Sequence, residues 1–204
     1  MTARAIFWAA CAACALQAQS KNPQDLGVGK ILVAPRGSVD PLFAESVVLL
    51  VRYNPTDALG LMVNKRSNVA VNDALKEFAA AAKHSEPVFV GGPVELDTVF
   101  AMVHAPHAPE GAATVAGNIH FIAGRASLEK ALRAAPANAE NLRVYIGYCG
   151  WGPRQLDSEV RRGGWYIFSR GEDIAFDAAP ERLWQKLVDR AEGRSALLQR
   201  PLIP

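Results

Sequence analysis

Residues 142–162 read LRVYIGYCGWGPRQLDSEVRR, and the fold turns on how this stretch divides. Residues 142–148 (LRVYIGY) are rich in β-branched and aromatic side chains and read as a strand. Gly147, Gly150 and Gly152 then punctuate the chain, predicting a turn. Residues 153–162 read as a helix, with Pro153 in the first turn and Gly163-Gly164 at the end. A strand passing through a glycine-rich crossover into a helix points to an α/β chain.

The same alternation continues outward. Residues 30–34, 46–53 and 59–64 read as strands, the last two joined by the turn Asn54-Pro55-Thr56-Asp57. Residues 71–83 (VNDALKEFAAAAK) have the period of a helix, with Leu75, Phe78, Ala79 and Ala82 on one face. Residues 87–90, 98–103 and 118–122 read as strands, and 104–114 as a loop rich in Pro and His. Ser127 reads as the N-cap of a helix over 128–135. Residues 165–169 and 173–176 read as a strand pair about 170–172, and 180–192 as an amphipathic helix on Leu183, Trp184, Leu187 and Val188. With no internal repeat or linker, residues 28–193 are expected to form one α/β domain. Residues 21–27 are expected to be a flexible lead-in and 194–204 an untethered tail.

Composition narrows the classes of function. The chain has 204 residues, of which 50% are hydrophobic and 21% charged, which excludes a disordered or collagen-like protein. With 22 basic and 20 acidic residues the net charge is +2, too small to draw a polyanion. Arg154, Arg161 and Arg162 are diluted by Asp157 and Glu159, so no nucleic-acid partner is predicted.

Residues 1–20 read as a signal peptide. Arg4 precedes the apolar run 5–16 (AIFWAACAACAL), and small residues follow, with cuts after Ala18 or Ser20 both compatible. Twelve helical residues span about 18 Å, short of a bilayer core, so no permanent membrane span is expected. The reading implies export, most simply to the periplasm; misreading the leader leaves a cytoplasmic protein. Cys11 and Cys14 leave with the leader, and Cys149 then stands alone.

Several residues invite chemistry. Tyr148 and Trp151 can form a flat apolar wall, Gln155 and Glu159 share a helix face, and free N–H groups at a helix start can bind an anion. These features make either a small-molecule or peptide pocket, or a structural elbow with Trp151 as a core plug. Gly91-Gly92-Pro93 makes either a phosphate-cradling turn or a close backbone approach, and Asn64 suits a left-handed turn position. Cys149 near Arg154 reads as either a redox-sensitive or nucleophilic thiol, needing His104 or His120 as base, or a small buried residue. His104, His107 and His120 with Cys149 lack the pattern of a metal site, so no metal or other cofactor is predicted. There is no G-x-S-x-G, and Asp157/Glu159 and Glu172/Asp173 read as solvated pairs, so no catalytic residue is assigned.

Four segments carry a family resemblance: LFAESVV (42–48), GLMVNK (60–65), VGGPV (90–94) and GYCGWGPRQLDSE (147–159). Their order and spacing resemble the YqgE/AlgH family of bacterial proteins. The resemblance implies a mixed sheet curled into a partial barrel with flanking helices, and no established catalytic activity. Some members are named transcriptional regulators. Family members usually lack a leader, have Ala or Ser at the position of Cys149, and often have Gly at that of Arg154. The combined expectation is a non-catalytic, exported protein that binds a small molecule or another protein, in a regulatory or envelope role. Its candidate ligand-binding residues are Asn64, Gly91, Gly92, Tyr148, Cys149, Trp151, Gln155 and Glu159. A Cys149-based redox sensor or enzyme, and a cytoplasmic regulator, are the alternatives.

Overall fold

The structure, a computed structural model, describes residues 19–198 except 39, 138, 139 and 170. Among the described residues the strands are β1 (Gln19–Ser20), β2 (Ile31–Val33), β3 (Val47–Tyr53), β4 (Ala58–Met62), β5 (Arg66–Ala70), β6 (Pro87–Val90), β7 (Val94–His104), β8 (Ala112–Ala116), β9 (Ile119–Ala123), β10 (Leu142–Trp151) and β11 (Tyr166–Phe168). The helices are α1 (Val71–Ala74), α2 (Arg125–Ala134), α3 (Gln155–Arg161), α4 (Gly171–Ala175) and α5 (Pro180–Leu198). The strands run in the order β1-β11-β2-β3-β4-β10-β7-β9-β8, with β5 and β6 branching from β10. Every pairing is antiparallel except β6 with β10. The result is the mixed α/β domain expected, its sheet curled into a half-barrel.

β10 organises the sheet. β7 lies along one edge, in register from Leu142 to Tyr148 apart from a bulge between Ile146 and Tyr148. The other edge changes partner, from β6 at Tyr145–Ile146 to β4 at Cys149–Trp151. Alternation along β10 sends Tyr145 into a core with Leu49, Leu61, Phe89 and Phe168. Val144 turns to a second core with Leu75, Val88 and Leu132. Cys149 and Trp151 enter a third with Leu50, Leu156 and Trp165. Each fully buried aliphatic side chain among these contributes about 1.5–3 kcal/mol. α5 closes the first core with Leu183, Leu187, Val188 and Ala191, and Arg36 pairs with its Asp189 and Glu192.

Several local expectations are corrected. The strand reading of 142–148 stops short, because β10 continues through Gly150 to Trp151 as the partner of β4. The helix expected over 71–83 is broken into α1 and a 3-10 turn, Ala79–Lys83, with Phe78 extended between them. After Leu75 the backbone tightens to bonds three residues apart, from the N–H groups of Phe78, Ala81 and His84 to the carbonyls of Leu75, Phe78 and Ala81, while the first-turn N–H groups of Val71 and Asn72 donate to Glu86 and His84. The strand expected at 173–176 is α4, whose Ile174 and Ala175 are buried. Gly124, not Ser127, caps α2. β5 and β8 fall where little hydrophobic signal exists, since β8 buries Val115 alone.

Residues of the lead-in contact one another and the domain. Asn22 accepts from the Gln24 N–H and caps a 3-10 turn, Pro23–Asp25, and the Lys21 ammonium lies 4.3 Å from the Tyr166 ring centroid. α5 runs past the expected boundary at 192 to Leu198. Of the leader, residues 1–18 lie outside the described residues, and Gln19 and Ser20 pair with Phe168 and Ile167. No helix among the described residues is long and apolar enough to cross a membrane.

Candidate functional site

The crossover is built around one carboxylate. Glu159 Oε2 accepts the indole N–H of Trp151 at 2.9 Å and that of Trp165 at 2.9 Å. Glu159 Oε1 accepts from Gln155 Nε2 at 3.0 Å, and Gln155 Oε1 in turn accepts the Gly152 N–H at 3.1 Å. The Gly152 N–H, two residues before the N-cap Arg154, is therefore satisfied internally. Trp151 and Trp165 are both buried, and Phe43 packs on both rings. Arg154 takes the left-handed conformation, φ 58°, at the head of α3, where its side chain is exposed.

The other predicted positions meet along β10. Gly91 donates to the Ile146 carbonyl and accepts from the Met62 N–H, so it bridges β4 and β10 where β6 ends. A Cβ on Gly91 would stand 2.2 Å from the Gly147 oxygen, and one on Gly92 2.1 Å from the Tyr148 carbonyl carbon. The GGP turn is thus a close approach of two backbones. Cys149 is fully buried, its S–H directed at the Gly91 carbonyl at 3.4 Å, and burial pushes the thiol up from its ordinary range. Tyr148 donates its hydroxyl to Glu95 at 3.2 Å, and burial, then that bond, raise the phenol.

Asn64 is not in a left-handed conformation, contrary to expectation. Its side chain holds a residue that is: Nδ2 donates to the Glu45 carbonyl at 2.9 Å, Oδ1 accepts the Val47 N–H at 2.8 Å, and Glu45 has φ 54°. Asn64, Gly91, Gly92, Tyr148, Cys149 and Trp151 therefore cluster around the β4–β10 junction, with Gln155 and Glu159 beyond on α3.

The histidines separate. His120 is buried between Thr114 Oγ1 and the Ala105 carbonyl, whereas His104 and His107 are exposed. No three His, Cys, Asp or Glu side chains converge on a metal-sized site among the described residues. His84 is also buried, with Nδ1 2.6 Å from Glu86 Oε1 and Nε2 2.8 Å from the Leu132 carbonyl.

Two clefts open beside the junction and share Arg66. One, about 470 Å³, is lined by Leu42, Met62, Asn64, Arg66, Val90 and Trp184. The other, about 530 Å³, is lined by Arg66, Phe89, His104, Arg143 and Phe176, with Glu86 and Glu140 also bordering it. Of the eight predicted residues, only Asn64 is among the lining of these clefts. Arg143 went unnoticed in the sequence; its signal was a lone charge within the apolar strand run 142–148.

A half-barrel hung on one strand that serves two neighbours defines a fold seen in solved structures. The solution structure of the AlgH protein from Pseudomonas aeruginosa matches with a TM-score of 0.65 at 22% identity, covering 86% of this chain and 94% of that one. Protein DIP2367 from Corynebacterium diphtheriae matches with a TM-score of 0.64 at 21% identity, covering 81% of this chain and 87% of that one. The chain belongs to the AlgH-like family, whose sequence profile matches residues 31–196. A UPF0301 protein of Streptomyces coelicolor is 33% identical over 172 residues, covering 83% of this chain and 89% of the relative. One from Mycobacteroides abscessus is 34% identical over 171 residues, covering 81% and 80%.

Proposed function

We propose that this chain is a non-catalytic binding protein, exported to the periplasm, which takes its small-molecule or protein partner at the two clefts that meet at Arg66. The observation that carries this reading is a division of labour. The polar groups of the crossover bond to one another, whereas the clefts beside Asn64 leave charged and apolar side chains open to solvent. The burial of Cys149 weighs against a thiol enzyme or redox sensor, since a reactive thiol needs access and a favoured thiolate. The pairing of Gln19 and Ser20 with β11 favours a cut after Ala18, which keeps both residues in the sheet.

Two measurements test the proposal. Screening the mature protein against a small-molecule library by amide NMR should give shifts centred on Arg66, Val90 and Trp184. Shifts confined to Trp151–Glu159, or turnover lost when Cys149 is replaced, overturn it. For export, cell fractionation with N-terminal sequencing should yield periplasmic protein starting at Gln19; an intact Met1 in the cytosol overturns that part.

A further inference from the structure

We infer that the cleft between Phe89 and Phe176 is a site for a small organic carboxylate, gripped by Arg143 and Arg66; this rests on the binding reading above. Arg143 is buried on β10 with its guanidinium 4.9 Å from the ring centroids of both Phe89 and Phe176. It donates to the carbonyls of Ala175 at 2.9 Å and Asp177 at 2.6 Å, and so ties the end of α4 to the sheet. That anchoring accounts for two of five N–H donors and supplies no counter-ion. No carboxylate lies within ion-pair distance of Arg143 among the described residues. The charge of Arg143 acts on the Asp177 carboxylate without an ion-pair contact, so the guanidinium keeps N–H donors for an arriving carboxylate.

Arg66 supplies the second arm. Its guanidinium lies 5.8 Å from the same Phe89 ring, and only its Nε meets an acid, Glu181, at 3.3 Å. Guanidinium groups match carboxylate oxygens in a paired geometry. The acids nearby set the charge of the ligand. Glu86 is engaged by His84, and the exposed Glu140 adds a negative charge at the rim, so a singly charged ligand fits better than a multivalent phosphate. A volume of about 530 Å³ suits a ligand of metabolite size. Beneath the floor, the Tyr145 ring lies 5.4 Å from Phe89, and its buried hydroxyl feels the Arg143 charge.

The test is titration of the mature protein with benzoate and hexanoate, followed by calorimetry and amide NMR, with benzamide and inorganic phosphate in parallel. Saturable carboxylate binding in about the millimolar range or tighter is expected, with shifts at Phe89, Arg143 and Phe176. Arg66→Gln should weaken it by about tenfold with an unchanged melting temperature, and Lys130→Gln, outside the cleft, should leave it unaltered. Absence of saturation, benzamide binding as well as benzoate, or full affinity in Arg66→Gln overturns the inference. Phosphate preferred over both carboxylates overturns the ligand class and leaves the binding reading standing. If no library compound shifts any residue of either cleft, both fall.

Discussion

The amide of Asn64 reaches back to the Glu45 carbonyl, 2.9 Å away, and so holds Glu45 in a left-handed backbone conformation that its own side chain disfavours. The second bond, from the Val47 N–H to Asn64 Oδ1, sets where β3 begins. Asn64→Ala leaves that buried donor unsatisfied. A loss of about 1–3 kcal/mol in urea unfolding is expected.

Gly92 has no room for a side chain. Its Cβ would fall 2.1 Å from backbone atoms of Tyr148, which cannot move without dislodging β10. Gly92→Ala should cost about 4 kcal/mol or more, measured as a fall in denaturation midpoint or as failure to recover folded protein.

Arg154 works in the opposite direction. Its φ of 58° suits glycine. Its side chain is exposed, so relief of backbone strain dominates. Arg154→Gly should raise stability by about 0.5–1 kcal/mol, a gain readable from the urea midpoint.

Cys149 predicts a pH dependence. Burial raises the thiol in the folded protein above the ordinary value of 9.0. The folded state therefore keeps a proton that the unfolded state releases. This contribution is fully present below pH 9 and is lost as the pH rises above it. Cys149→Ala should flatten the decline of stability between about pH 9 and 10. Iodoacetamide should label Cys149 slowly in the folded protein and rapidly in urea.

The sequence made the long apolar strands and the crossover legible, because β-branched runs and glycine punctuation are local signals. It also made Trp151 legible as a core plug, one of the two roles open to it. It did not reveal that Glu159 serves two indoles, since Trp165 arrives from beyond α3. Nor did it reveal that the apparent helix 71–83 would tighten after Leu75 into bonds three residues apart at Phe78, Ala81 and His84. The clefts were hidden for the same reason: Phe89, Arg143 and Phe176 lie far apart in the chain and meet only when β6, β10 and α4 assemble. Asn64 was singled out for its own backbone, whereas its work is done on Glu45.

Because β10 is hemmed in by β7 on one side and by β6 and then β4 on the other, neither half of the half-barrel has a hydrophobic floor of its own. Cutting the protein into fragments at either side of that strand should leave two insoluble pieces. Heat should then melt the whole molecule in a single transition, with the amides of Val144–Ile146 the last to exchange with deuterium.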